Sequence, residues 1–395
     1  MSDTFCSLPF LQFSTDPSGN YQACCIAKKT DMNMVNVAPL DFFNSDHMKQ
    51  LRHDMANGID SKLYQDTCFK CIINEKKTGF SKRLINKHDP RSIDLVDLTA
   101  IRENKDYDLK PKSLDSFKIK IFGNLCNLRC TMCYPGASSK IAAEHKKLGL
   151  HPGKSIINPY KSMDQDKFYR DLLEILPITK SIEIVGGEPF LYPETIPFLR
   201  WIIDNDLAKN LVLRFITNGM VEDIQLYSYF KEFKEVRVLV SIDNVYDKEE
   251  YIRTDTIWKD KVEIVKNLQS VPNIVVGFSN TIQLLNIGYL SDIYDVSMEE
   301  FNKPAPLNNQ LTYPAKLRAS NLPPDIAEMY LDKYKDKEFS FKDRHIDALN
   351  RTFTERDHWE FMAGMQHYKW WDKKRGTNLI DSFPEFKKYY DKAKI

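Results

Sequence analysis

Cys6, Cys24, Cys25, Cys68, Cys71, Cys126, Cys130 and Cys133 are the only cysteines of this 395-residue chain, and nothing beyond position 133 adds to them. In a reducing compartment such clustering reads as metal ligation before disulfide formation. The second group runs Cys126-Asn127-Leu128-Arg129-Cys130-Thr131-Met132-Cys133, a C-x₃-C-x₂-C spacing. Three thiolates on one loop hold one metal or one face of a cluster. An unfilled coordination position marks a reactive site rather than a structural one. Iron–sulfur clusters usually take four protein thiolates, so three leave one iron open; a zinc loop is the alternative. The first group, with Cys68-x₂-Cys71 as its tight pair, offers four or five donors. That suffices for a tetrathiolate zinc site or a fully ligated iron–sulfur cluster. The adjacent Cys24 and Cys25 could instead form a redox disulfide.

Something must position these donors. Phe117–Phe122 alternates apolar and polar, as a strand does. Ser181–Val185, Leu211–Ile216, Val236–Ser241 and Ile274–Ser279 are further short β-rich runs, and Asn309–Tyr313 is a weaker sixth. Helical patterns fill the gaps at Ala137–Leu150, Gln165–Leu176, Glu194–Asp204, Asp223–Phe233, Lys261–Leu268 and Ile287–Glu300. Strand–helix alternation at this spacing predicts an α/β fold with a parallel sheet and right-handed crossovers. Six units suit a partial (β/α)₆ TIM-type barrel better than a closed eight-unit one, with ligands at the carboxyl ends of the strands. The domains expected are residues 1–95, 112–320 and a helical C-terminal extension over 321–395. The first span takes in the start of a polar linker, about Lys76–Pro111, that divides the small N-terminal unit from the larger body. Most of the aromatics around Trp359, Phe361, Tyr368, Trp370 and Trp371 are expected to pack that extension onto the body.

The strand ends carry polar and glycine-rich strings. Gly186-Gly187-Glu188-Pro189 follows the second strand, Thr217-Asn218-Gly219 the third, Ser241-Ile242-Asp243 the fourth and Ser279-Asn280-Thr281 the fifth. Two glycines let backbone approach a ligand closely, and Glu188 offers an acceptor to an ammonium group. Ser241 and Asp243, at i and i+2, share one side of a strand end.

With the cysteine triplet, these strings resemble the radical S-adenosylmethionine (radical SAM) superfamily over about residues 115–315. The resemblance implies a four-iron four-sulfur cluster on Cys126, Cys130 and Cys133, whose open iron chelates S-adenosylmethionine. Reductive cleavage then yields a 5′-deoxyadenosyl radical that abstracts hydrogen from a substrate, as an oxidoreductase or transferase type. It implies that Gly186, Gly187 and Glu188 bind the methionyl amino group, with Met132, Thr217, Asn218, Ser241, Asp243, Arg253 and Asn280 also on the cofactor. The Cys6-x₁₂-Gly19-x₄-Cys24 spacing is similar to the opening of the SPASM module. Lys77 stands where that module would continue, which matches its shortened form, twitch. By that resemblance Cys6, Cys24, Cys68 and Cys71 hold an auxiliary four-iron four-sulfur cluster, in a module that here precedes the barrel. Cys25 is left unassigned.

Substrates implied are a peptide undergoing maturation or, alternatively, a sugar, an amino alcohol or, less readily, RNA. The implied electron donor is a flavodoxin or ferredoxin. Net charge is +1, without the basic footprint of a nucleic-acid binder; the stretch from Lys76 to Lys87 is the one candidate patch. No run approaches a membrane span. The start Met1-Ser2-Asp3-Thr4 lacks a secretory pattern, so a cytoplasmic protein is expected. A non-catalytic metal-binding module is the contrasting reading. No general acid or base is identifiable.

Overall fold

A computed structural model of the chain describes residues 3–79, 81–87, 97–109, 113–150, 157–307, 309–355 and 357–395. Part of the linker expected at 76–111 lies outside the described residues. Among the described residues, seven strands form a mixed sheet: β1 (Gln12–Thr15), β2 (Tyr21–Gln22), β3 (Ser116–Ile119), β4 (Ser181–Ile184), β5 (Val212–Thr217), β6 (Glu235–Ser241) and β7 (Ile274–Ser279). Their order is β2-β1-β3-β4-β5-β6-β7, so the sheet is open rather than closed on itself, consistent with a partial barrel. β1 and β2 form an antiparallel pair, while β1 with β3, β3 with β4 and β4 with β5 run parallel.

Five of the six strands expected from the sequence are present, within a residue or two for most boundaries. The weaker sixth, Asn309–Tyr313, is reduced to one bridge between Ile282 and Gln310, and the chain goes on into the turn around Pro314. The helix expected over Asp223–Phe233 divides into Ile224–Ser228 and a tight turn at Phe230–Glu232. β1 and β2, from the N-terminal segment, were not legible as strands.

The chain divides into two compact units. Unit 1 comprises residues 1–126, 150–215 and 224–237, and unit 2 comprises 127–149, 216–223 and 238–395. In unit 1 the alternation of β3, β4 and β5 sorts their faces. Phe117, Ile182 and Leu213 form one buried cross-strand row, and Ile119, Ile184 and Phe215 the next. Burying a side chain of this size contributes about 1.5–3 kcal/mol. The opposite face is polar. Helices α1 (Asp46–Asn57) and α2 (Lys62–Thr78) start at serine caps, where Ser45 and Ser61 accept from Met48 N and Tyr64 N, and each ends at a left-handed glycine. In unit 2, α3 (Ser139–Lys147), α6 (Tyr246–Ile252), α7 (Trp258–Ser270), α8 (Leu290–Phe301), α9 (Pro324–Tyr334), α10 (Lys342–Glu355) and α11 (His358–Arg375) are the main helices; α4 (Gln165–Ile175) and α5 (Thr195–Asp204) belong to unit 1. Phe361, Tyr368 and Trp371 of α11 are buried as expected, but Trp359 is 86% exposed. Among the described residues no helix is long and apolar enough to cross a membrane.

Candidate functional site

In unit 1 the Gly186-Gly187-Glu188-Pro189 turn lies on the segment that leads into Cys126. Glu188 N donates to Leu125 O at 2.7 Å, and Gly187 N donates to Tyr192 Oη at 2.7 Å. Tyr192 Oη in turn donates to Gly123 O at 2.6 Å. A Cβ on Gly187 would sit 2.1 Å from Leu125 O, and one on Gly186 would sit 2.7 Å from Gly123 O. The glycines are therefore required by the chain's own backbone, whatever ligand they also approach. Gly123 is the counterpart, with φ at +102° and room for no side chain against Ile157 O. Glu188 is wholly buried, and its Oε1 accepts from Phe190 N.

Cys126 closes unit 1; Cys130 and Cys133 belong to unit 2. There the loop from Arg129 to Cys133 is fixed on both sides. Arg129 N and Thr131 N donate to Thr254 O and Ile252 O at 3.0 and 2.8 Å. From α11, Arg375 Nη1 donates to Arg129 O at 3.0 Å, and His367 Nε2 lies 3.3 Å from Thr131 O. Arg375 also grips Glu144 of α3, which Arg129 shares. Met132 and the two thiols are half-buried.

Beside this loop is a sealed set of four charges. Asp243 and Glu249 are fully buried, as is Lys261, and the Arg253 side chain is 12% exposed. Arg253 Nε is 2.8 Å from Asp243 Oδ2, an ion pair off the line of a good hydrogen bond, and its Nη1 is 3.9 Å from Cys130 Sγ. Lys261 pairs with Glu249 and donates to Ser241 O at 2.9 Å. Glu249 Oε2 accepts from Asp243 N and Asn244 N. Burial pushes the Asp243 carboxyl above its ordinary value despite Arg253. Burial alone would lower Arg253, but Asp243, Cys130 and Glu249 outweigh it and hold the guanidinium charged. Sequence reading selected Asp243 and Arg253 separately as cofactor contacts; here they are joined to each other. It missed Glu249 and Lys261, although Glu249 and Arg253 at i and i+4 were a readable pair.

The remaining expected contacts fall as follows. Thr217 Oγ1 accepts from Gly219 N, closing its own turn. Asn218 Nδ2 donates to Asn127 Oδ1 at 2.7 Å and its Oδ1 accepts from Met220 N. Ser241 is buried. Asn280 is 1% exposed, and among the described residues both its Oδ1 and its Nδ2 lack a partner.

The N-terminal cysteines occupy unit 1. Cys6 precedes the helical turn Leu8–Leu11, Cys24 follows β2, and Cys68 and Cys71 lie one turn apart on α2. These four line one apolar pocket with Leu8 and Met55. Burial is the first cause of their raised thiol pKa values, and the nearness of the other cysteines is a further cause for Cys6, Cys24 and Cys68; Cys24 is pushed up to about 11. Cys25 differs. Burial would raise it, but Lys82, whose Nζ is 2.9 Å from its sulfur, together with Lys118 and Lys120, brings it below the ordinary thiol value.

Residues 120–293 match the Radical SAM superfamily. The match covers 174 of the 395 residues. No curated protein matches the chain. Among solved structures, the chain is similar to anSMEcpe with bound AdoMet and Cp18Cys peptide, at 17% identity over 56% of this chain and 60% of that one, with a TM-score of 0.37. It is also similar to Streptococcus suis SuiB, at 12% identity over 84% of this chain and 70% of that one, TM-score 0.36. A third is SuiB bound to precursor peptide SuiA, at 14% identity, 74% and 60% coverage and TM-score 0.36. The chain thus spans 60% of the first of these structures. The likeness to the Radical SAM superfamily rests on the sequence match.

The donor sets fit the groups that a radical SAM domain uses. Cys126, Cys130 and Cys133 supply soft thiolates from one loop. The buried, unpartnered amide of Asn280 offers one acceptor and two donors to a polar ligand edge. The pocket of Cys6, Cys24, Cys68 and Cys71 is a four-thiol set in an apolar wall. Among the described residues, no three His, Cys, Asp or Glu side chains converge tightly enough to hold a single ion.

Proposed function

We propose that this chain is a radical SAM enzyme that cleaves S-adenosylmethionine reductively and abstracts hydrogen from a substrate. The observation that carries the reading is the Cys126–Cys133 spacing directly after β3, joined to a Gly-Gly-Glu-Pro turn after β4 that is bonded to residues 123–125. When bound, a four-iron four-sulfur cluster on Cys126, Cys130 and Cys133 would deliver one electron to S-adenosylmethionine and so supply the hydrogen-abstracting chemistry.

The chain's own residues do the positioning. Arg375 and His367 hold the backbone of the cysteine loop at alternate carbonyls. Arg253 keeps a positive charge beside Cys130, which favours the thiolate over the thiol. Glu188 presents a carboxyl group beside a glycine turn in which a side chain on either glycine would collide with residues 123–125. Asn280 keeps its amide free for a heterocyclic edge. Cys6, Cys24, Cys68 and Cys71 would hold a second, fully ligated cluster as an electron relay, in a twitch-like N-terminal module. The substrate we favour is a peptide undergoing maturation, on the similarity of the N-terminal spacing to the SPASM type. A reduced flavodoxin or ferredoxin in the cytosol would supply electrons. Anaerobic reconstitution followed by S-adenosylmethionine and dithionite should release 5′-deoxyadenosine. Iron-loaded protein that releases none sinks the reading.

A further inference from the structure

The polar face of the sheet in unit 1 is a row set by strand register. Gln22 lies opposite Ser14, Ser14 opposite Lys118, Lys118 opposite Glu183, and Glu183 opposite Arg214. Lys120 follows Lys118 by two residues and shares its face. Two cations on this face, Lys120 and Arg214, make no ion pair among the described residues, because Glu183 pairs with Lys118 and Glu235 with Arg237. Lys118 pairs with Glu183, with side chains only 18% and 14% exposed. Lys82 donates to Cys25 Sγ. Arg214 faces Glu183 in register and Glu235 through space. Lys120 senses Cys25, Glu183 and Asp16 through space, yet its ammonium makes no hydrogen bond or ion pair among the described residues.

Asp16 is not available to it. Its Oδ1 accepts from Ser18 N and Asn20 N, and its Oδ2 lies 3.7 Å from Lys29. Among the described residues, two more polar groups on this row are buried without partners: Ser14 Oγ, on a residue 1% exposed, and Arg214 Nε. A buried polar group without a partner costs about 1–3 kcal/mol. Burial first, and Lys118 second, draws the Lys120 ammonium below its ordinary value. The Lys120 ammonium and Arg214 Nε can only donate, and the Ser14 hydroxyl can donate or accept, so one anionic acceptor would satisfy all three.

We propose that this row is a binding site for one carboxylate of the substrate, held by the Lys120 ammonium and the Ser14 hydroxyl with Arg214 and Lys118 beside them. Lys120 and Arg214, the two cations without an ion pair, call for an anion, and a planar carboxylate presents two oxygens, one for the ammonium and one for the guanidinium N–H. Only the word substrate rests on the radical SAM reading; the anion site stands on the charge and register of unit 1.

The test titrates reconstituted full-length protein with ¹³C-acetate, and separately with inorganic phosphate, followed by NMR. Acetate should bind saturably. Lys120→Met should weaken it at least tenfold, as for a charge-assisted bond, and Ser14→Ala about fivefold, as for a neutral one. Circular dichroism checks each fold, and Ser14→Ala decides if Lys120→Met does not fold. Absence of saturable acetate binding overturns the proposal. So does unchanged affinity in the folded variants, or phosphate binding tenfold tighter than acetate. Scoring 5′-deoxyadenosine release separately on the wild type keeps the two readings apart. Acetate binding without cleavage defeats the radical reading alone, and cleavage without acetate binding defeats this one alone.

Discussion

In the N-terminal segment the cysteines come from distant points of the chain: Cys6 before β1, Cys24 after β2, and Cys68 and Cys71 on α2. In the 126–133 stretch they come from one loop whose backbone is fixed from both sides by hydrogen bonds. The first set is brought together by the fold and sits in an apolar pocket that opposes ionisation of every thiol. The second is half-buried, with a charged guanidinium 3.9 Å from one sulfur. A site assembled from separated elements couples metal binding to folding. A site on a loop already fixed can lose its metal and keep its shape.

The sharpest way to break this comparison is to remove one thiolate from each set. Cys130→Ala should abolish 5′-deoxyadenosine release and halve the iron content from roughly eight per chain, as for two four-iron clusters, with little change in melting temperature. Cys68→Ala should take a similar share of iron but destabilise the fold. Iron assays and calorimetry read both, and equal destabilisation by the two variants would erase the distinction.

The next effect is on the charges beside the loop. Glu249→Gln leaves Lys261 buried without its carboxylate and should cost about 3–5 kcal/mol in urea denaturation.

A smaller effect depends on pH. Burial first, then Lys316, holds His367 down to about 3, against an ordinary value of 6.5. Its folded pKa is depressed, so its contribution is complete above pH 6.5 and is lost as pH falls toward 3. His345, lowered to about 4 mainly by burial, acts in the same direction. His367→Gln should flatten the stability curve below pH 6.5, by no more than about 2 kcal/mol because the ring is only partly buried. A variant as acid-sensitive as the wild type would show that His367 takes no part. The smallest expected change is Cys25→Ser, which should retain the full iron content because Cys25 is paired with Lys82 rather than with the pocket.

Much of the radical SAM segment was legible because its signals are local. Strand alternation from Ser116 to Ser279, the cysteine spacing and the glycine turn each lie within a few residues. What was not legible depends on contacts across space. β1 and β2 have four and two residues, too short for a period to emerge. Tyr192 gives no hint in sequence that its hydroxyl joins Gly187 to Gly123. Cys25 and Lys82 are 57 positions apart. Asp243 and Arg253 stand out in the sequence one by one, but that they pair with each other follows only from the turn between β6 and α6. The four-thiol pocket was anticipated as a ligand set; its apolar walls were not.

The parallel pairing of β1 with β3, in which Phe13 lies opposite Phe117, has a practical consequence. Cutting the chain before residue 112 to express the superfamily segment alone would strip β3 of its neighbour and leave a raw hydrogen-bonding edge beside Phe117. Unpaired edges of that kind invite association between copies. The N-terminal segment therefore covers an edge that residues 112–320 alone would expose, and a truncated product that aggregates would report the lost strand rather than a lost cluster.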